Sequence, residues 1–281
     1  MKVILSRKGF DSGSGGYPSI ILPNNEMITL PIPSRGDTYK YSEIYTKNGE
    51  CIFDIMKSLK KYIWSNGEKH ILTKNTCCHL DPDICDFSVK RDRNWKGIFG
   101  QVDAAESVLS NNDVKEGDLF IFFGWFNDVI IEDGKYRFAK GDGRHTMFGY
   151  LQIDKILHPK DDKVPKAFEK HPHVFGDRRK FKDSNTIYIA KDVCTFDKRI
   201  KGYGMFEYDE KLDLTKKGMR RSRWELPKFF KGLNMTYHTK DSFRKGYFKS
   251  ACRGQEFVIE ENKEVEKWAK TIIREHSINR V

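Results

Sequence analysis

The chain opens on an unbroken apolar run, Val3-Ile4-Leu5, and the absence of a polar face predicts a central strand. Two short extended pieces follow, Ile20–Pro23 and Ile28–Pro33, broken by proline and by Asn24-Asn25. From Cys51 to Trp64, Ile52, Ile55, Met56, Leu59, Tyr62 and Ile63 recur at helical spacing and predict one helix over the whole stretch. Ile71-Leu72 reads as a strand. Gln101 to Leu109 reads as a second helix, with Val102, Ala105, Val108 and Leu109 on one face. Leu119–Phe126 is almost wholly apolar and aromatic, which predicts a buried strand, with Tyr136–Ala139 as its hairpin partner across Glu132-Asp133-Gly134. Phe148–Leu157 and Thr186–Ala190 are further strands, separated by a charged, proline-containing loop from His158 to Ser184. Val265, Trp268, Ala269, Ile272 and Ile273 mark a closing amphipathic helix. No internal repeat or low-complexity linker interrupts this order. The expectation is a single α+β domain over residues 1–281, with a mixed or antiparallel sheet flanked by helices.

Composition changes the picture in two ways. Apolar residues make up only 38% of the 281 positions, but 20 Phe, 12 Tyr and 5 Trp supply enough ring area to build a core. The net charge is +11, and its excess is local: residues 216–250 hold eleven Lys and Arg against Glu225 and Asp241. A field of that sign favours polyanions. Nucleic acid is the expected partner. No apolar run approaches the length of a membrane span, so no membrane partner is expected. Six cysteines and no leader-like opening fit reduced thiols in a cytoplasm.

Candidate chemistry sits in several polar islands. The first follows the opening strand: Ser6-Arg7-Lys8-Gly9-Phe10-Asp11-Ser12-Gly13-Ser14-Gly15-Gly16. Bare N–H groups in such a loop can form an anion-binding concavity, and Arg7 or Lys8 could add charge-assisted bonds to a phosphate; the alternative is a plain glycine turn. The second island is Thr76 to Cys85. Cys78, Cys85 and His79 offer three zinc-type ligands, but the spacing matches no zinc knuckle and no metal is assigned. His79, Asp81 and Asp83 read as a polar cluster, with Asp81-Pro82-Asp83 as an extended segment aiming both carboxylates one way. They could hold a hard cation, position a ribose or act as acid and base; the alternative is a capping turn. The third island is Ser250 to Val258, where Arg253, Gln255 and Glu256 are site candidates and Cys252 is expected to be a buried structural thiol.

Isolated candidates complete the set. Gln101 has the donors and acceptor to read a base edge, or is an ordinary first-turn residue. Gly124 inside an aromatic strand marks a bulge or the approach of a ligand; Trp125 and Phe126, at the strand end, are expected to be exposed, where Trp125 could stack a base. His145 could work as a general acid or base. His171-Pro172-His173 is expected to be a solvated loop. Lys216, Lys217, Arg220, Arg221, Arg223 and Lys245, interleaved with Trp224, suit contact with a phosphate backbone plus stacking.

The opening SRKGFDSGSGG with PSIILP, the His79–Asp83 segment, Phe99-Gly100-Gln101, GDLFIFFGWF and CRGQEFV together resemble the nucleotide modification associated domain family, third type, over nearly the whole chain. That resemblance implies association with bacterial and phage systems that modify bases in DNA, including phage defence, and therefore DNA in preference to RNA as partner, with partner proteins from such systems. It implies no reaction, cofactor or catalytic residue. The Gly117-Asp118 aromatic strand and Gly149–Ile153 are loosely similar to the small PUA/EVE-like β-barrels that cradle modified or flipped bases.

Two functions follow. One is an enzyme acting on a nucleotide or base. Ser6, Arg7, Lys8, Ser12, Gln101, Trp125, His145, Arg253 and Gln255 would bind it, and His79, Asp81, Asp83, Asp11 and Glu256 would supply the chemistry. The other is a non-catalytic reader of modified or single-stranded nucleic acid, using aromatics near Trp125 and the basic segment; a scaffold within a modification system is a third possibility. Convergence of the islands on one pocket favours the enzyme.

Overall fold

The computed structural model describes residues 1–281, apart from the side chains of Asp177 and Arg178. Its centre is a mixed sheet. Val3–Arg7 lies between Glu256–Ile259, antiparallel to it, and Leu119–Glu132, parallel to it. Arg144–Leu157, Thr186–Ala190 and Ile98–Gln101 then follow, each antiparallel to the last. The opening run is therefore central and buried, as its lack of alternation requires. Leu119–Glu132 and Arg144–Leu157 are both 14 residues long and pair with a bulge between Met147 and Gly149; a bulge adds local twist and bends its strand. The sheet curls into a half-barrel, and helices flank it, giving an α+β fold.

The half-barrel's two edge strands are joined by side chains. Gln101 Nε2 on one edge donates to Glu256 Oε1 on the other at 2.7 Å. The same oxygen accepts from Ser6 Oγ at 3.1 Å and from Lys8 Nζ at 2.8 Å.

Phe99, Phe120, Phe122, Phe148 and Tyr188 pack on one face of the sheet with edge-on and stacked rings, and Phe123 and Tyr150 pack on the other, against Trp224 and Phe206. A second core, built on Tyr41, Ile52, Phe53, Ile55 and Met56, backs the N-terminal loops. The closing helix spans Lys263–His276; Asn262 caps it by accepting from the N–H groups of Glu264 and Val265, and Val265, Ala269, Ile272 and Ile273 are its buried face. No helix among the described residues is long and apolar enough to cross a membrane.

Several expectations are corrected. The first helix covers only Ile52–Leu59, and Tyr62–Ser65 is a strand paired with Glu68–Ile71. Between these strands Asn66 and Gly67 both have positive φ, the two-residue hairpin turn that overrides the helical spacing. The second helix begins at Asp103, and Gln101 ends a strand. Phe126 is fully buried. Gly124 accommodates chain rather than ligand: a Cβ there would stand 2.6 Å from the carbonyl oxygen of Lys8. Within the basic segment, Arg223–Trp224, Tyr247–Lys249 and Phe243–Arg244 form a small sheet. Trp224 is buried against Phe123, His145 and Phe257, so it is core and has no face free to stack on a base.

Candidate functional site

An open cleft of about 680 Å³ lies beyond the C-terminal end of Val3–Arg7, beside Trp125 in the middle of the parallel strand Leu119–Glu132. Its lining brings together Arg7 to Ser14, His79 with Asp81, and Cys252 to Gln255. Gln101, Trp125 and His145 also face it, as do His173, Arg179 and Arg221, which sequence reasoning did not place there. Three segments separated by more than 60 residues thus meet at one mouth.

One wall is made of imidazole and carboxylate. The His79 backbone is pinned by its N–H to the carbonyl of Ile32, and its Nδ1 lies 2.9 Å from Asp37 Oδ2. Arg179 Nη1 donates to the other Asp37 oxygen at 2.7 Å. Burial opposes ionisation of Asp37, but the bonds from His79 and Arg179 outweigh it and hold the carboxyl well below its ordinary range. Ionised Asp37 therefore accepts a hydrogen bond from His79 Nδ1–H, which leaves the Nε2 lone pair free. His173 is arranged likewise. Asn185 Nδ2 donates to the His173 carbonyl at 2.8 Å, which turns Asn185 Oδ1 toward His173 Nδ1 at 2.7 Å. That nitrogen must carry the proton, and Nε2 is again the free one. Burial lowers both rings' pKa values, His173 to about 3, so both are neutral near pH 7.

Asp81 sits between them. Its Oδ1 accepts the Gly100 N–H at 2.8 Å and lies 3.2 Å from His171 Nε2; its Oδ2 is 4.0 Å from His79 Nε2. Burial again opposes ionisation, but the interaction with His171 outweighs it and holds the carboxyl below its ordinary range. Asp81 is thus a fixed anion and not a general acid. His171 and His173 are both buried, against the expectation of a solvated loop. Gly100 explains the close packing, since a Cβ there would fall 2.3 Å from the His173 ring. One donor atom each from His79, Asp81 and His173 lies within 4.8 Å of the others, a grouping able to hold a metal ion. The expectation assigned no metal, allowed a hard cation at His79, Asp81 and Asp83, and placed His173 in a solvated loop. His173 converges with His79 and Asp81, and His171 buttresses Asp81 from behind. No thiol belongs to this grouping.

The opposite wall is cationic. Arg7 donates to the carbonyls of Ala251, Cys252 and Gly254, so it organises the third island from the first. Lys8 is committed to buried Glu256. Arg221 lies over the Trp125 ring, 3.9 Å from its centroid. Among the described residues Arg7, Arg221 and Arg253 form no salt bridge. Burial lowers the Arg7 pKa; burial first and then the Arg7 charge lower that of Arg221. Cations held together at such cost create a site for an anion. His145 accepts at Nδ1 from Trp224 Nε1 at 3.0 Å; burial, then Arg221 and Arg7, lower its pKa to about 3. It is a neutral ring whose Nε2 carries the proton, a hydrogen-bond donor and not a proton shuttle near pH 7.

The remaining expected residues divide. Asp11 faces the cleft, but its Oδ1 already accepts from the N–H groups of Gly13 and Ser14, both at 2.7 Å. The N–H groups of Gly15 and Gly16 go to the carbonyls of Trp64 and Asp11. The stretch from Asp11 to Gly16 is therefore an Asx turn in which the N–H groups of Gly13, Ser14, Gly15 and Gly16 are engaged; Ser12 lies on its exposed tip. Ser6 and Glu256 are fully buried beneath the cleft and position Lys8 and Gln101. Gln101 spends its amide on Gln255, Glu256 and Val102. Asp83 leaves the cluster: Arg91 claims both its oxygens, and it faces a separate apolar cavity. Cys252 is exposed in the cleft and not buried.

Lys217, Arg220, Arg223 and Lys245 of the basic segment are exposed; Lys216 is half-buried beside Glu225 and bonded to the Gly246 carbonyl. Lys217 lies 3.6 Å from Glu210. Arg221 is the member that turns into the cleft. Of the unforeseen residues, only His173 and Arg221 had a sequence signal, a His-Pro-His motif and a basic run; Asp37, Arg179 and Asn185 carry none.

No curated protein and no solved structure matches the chain. The model for nucleotide modification associated domain 3 matches residues 2–260, which takes in both walls of the cleft and the basic segment. The chain belongs to the nucleotide modification associated domain 3 family, and its role is associated with nucleotide modification.

Proposed function

We propose that this chain is an enzyme that modifies a nucleotide or base, most simply one within DNA, held in the cleft between the two walls. The observation that carries the reading is the convergence of residues 7–14, 79–81 and 252–255 on one mouth. A binding module needs the cationic wall and a stacking ring. It has no use for two oriented imidazoles and a fixed carboxylate facing them.

In this reading the phosphate lies on Arg221, Arg253 and the outer edge of Arg7. Arg221 covers one face of Trp125, so the base meets that ring at its other face or edge. The exposed Gln255 amide, whose Oε1 is approached by Lys8 and Gln101, has its Nε2 to offer a base edge. His145 donates from Nε2, and the His79–Asp81–His173 wall faces the reacting atoms. Lys217, Arg220, Arg223 and Lys245 follow a flanking backbone.

The alternative reader predicts binding without turnover. Mass spectrometry of nucleosides from cells carrying the partner genes, with wild type or His79→Gln, separates the two. A nucleoside present only with wild type supports the enzyme. Identical profiles, with oligonucleotide binding intact, establish the reader. In the binding assay Arg221→Ala, which removes a guanidinium that forms no salt bridge among the described residues, should weaken a short oligonucleotide about tenfold or more.

A further inference from the structure

We propose that His79, Asp81 and His173 bind one divalent first-row transition metal ion, through His79 Nε2, His173 Nε2 and an Asp81 carboxylate oxygen. The inference rests on the geometry of the wall and stands whether or not the cleft takes a nucleotide.

Three observations carry it. The donor set is right: two imidazoles and one carboxylate suit iron(II), manganese(II), cobalt(II) or zinc(II). The reach is right: the donor atoms lie within 4.8 Å of one another, with His79 Nε2 and Asp81 Oδ2 at 4.0 Å. Bonds of about 2.1 Å place neighbouring ligands about 3–3.4 Å apart, so closure needs side-chain shifts of about an ångström. The third observation is independent of the cluster. Each histidine has its other nitrogen engaged by an oxygen acceptor, Asp37 for His79 and Asn185 for His173. Those acceptors are themselves fixed, Asp37 by Arg179 and Asn185 through the His173 carbonyl. Histidine ligands characteristically donate their second nitrogen to such a partner, which sets the tautomer and turns the free lone pair to the metal. A purely structural histidine pair needs no matched tautomers pointing at one carboxylate.

His171 completes the arrangement from behind. Its Nδ1 accepts the His173 backbone N–H at 3.3 Å, so its proton is on Nε2, 3.2 Å from Asp81 Oδ1. It is a positioning residue and not a ligand. His79, Asp81 and His173 all line the cleft, so an ion held by them would be reached from it.

The test uses the full chain stripped of metal and titrated calorimetrically with zinc(II), manganese(II) and, without oxygen, iron(II). One ion per chain is expected for at least one of them, and X-ray absorption of the loaded wild type should show two imidazoles, oxygen ligands and no sulfur. His79→Gln and His173→Gln should each weaken binding at least a hundredfold. Asn185→Ala, which keeps all three ligands, should weaken it about 10- to 100-fold. Circular dichroism and melting curves establish that each variant is folded. If folding fails, the absorption spectrum of wild type decides alone. The proposal is overturned if wild type binds none of the three ions stoichiometrically, if sulfur is found in the shell, or if binding survives loss of both histidines. Oligonucleotide titration in the presence of chelator is read separately, so loss of the metal site and loss of the nucleotide reading are distinguishable.

Discussion

The two walls of the cleft are built on opposite plans. On the His79–Asp81–His173 side, the backing nitrogen of each ligand histidine is matched by a protein oxygen, and two carboxylates are held ionised at depth. On the Arg7–Arg221–Arg253 side the charges form no salt bridge among the described residues and two of them are depressed by burial. The first wall is saturated and rigid, fit to hold a geometry. The second is unsatisfied, fit to attract. Lys8 is the exception that marks the boundary: it belongs to the cationic side in sequence but is neutralised by Glu256.

The sharpest way to break this comparison is at that boundary. Lys8 and Glu256 are both buried, and Glu256→Ala leaves an ammonium without its counter-charge and opens the seam to Gln101. A loss of about 3–5 kcal/mol in chemical denaturation is expected. Pairing it with Lys8→Met should recover part of that loss. If Glu256→Ala alone costs less than about 1 kcal/mol, the boundary is not structural.

A pH experiment probes what lies behind the cationic wall. Glu106 is buried and accepts the Tyr188 hydroxyl at 2.9 Å; burial raises its pKa from 4.5 to about 8, and the charge of Glu256 adds to the shift. The folded chain holds this proton where the unfolded chain has released it. Its contribution is fully present below about pH 4.5 and is lost as pH rises toward 8. Melting temperature should therefore fall across that window, by an amount on the order of a few kcal/mol in stability, and Glu106→Gln should flatten the fall. An identical slope in wild type and variant would show that Glu106 ionises normally.

The exposed segment should behave as a diffuse extension of the attracting wall. Replacing Lys217, Arg220, Arg223 and Lys245 by glutamine should lower the slope of log affinity against log salt by up to about one per residue that contacts phosphate, with little change in stability. A slope unchanged by all four would confine the anion site to the cleft. The smallest effect expected is at Trp125. Trp125→Leu removes the ring under Arg221 and should cost about 0.5–2 kcal/mol of oligonucleotide affinity.

What the sequence disclosed follows the same division. Apolar runs such as Val3–Leu5 and Leu119–Phe126 predicted the central strands, because burial on both faces leaves a direct imprint on composition. The three islands were legible as dense polar text. Their meeting was not, since it depends on the parallel pairing of Val3–Arg7 with Leu119–Glu132 and the curl that brings Glu256 to Gln101. The saturated wall was hardest to read. Asp37 and Asn185 act only through the histidines they orient, and a residue that works at second hand leaves no motif. Asp83 misled for the converse reason: two carboxylates at i and i+2 looked like a pair until Arg91 was seen to hold one of them.

The seam of the half-barrel has a consequence for how this chain can change over generations. It is made of side chains, and side chains are what mutation replaces. A backbone seam tolerates most replacements, whereas this one depends on the side chains of Lys8, Gln101 and Glu256. Lys8 and Gln101 also line the cleft, so a replacement in the seam is felt by the fold and by the cleft at once.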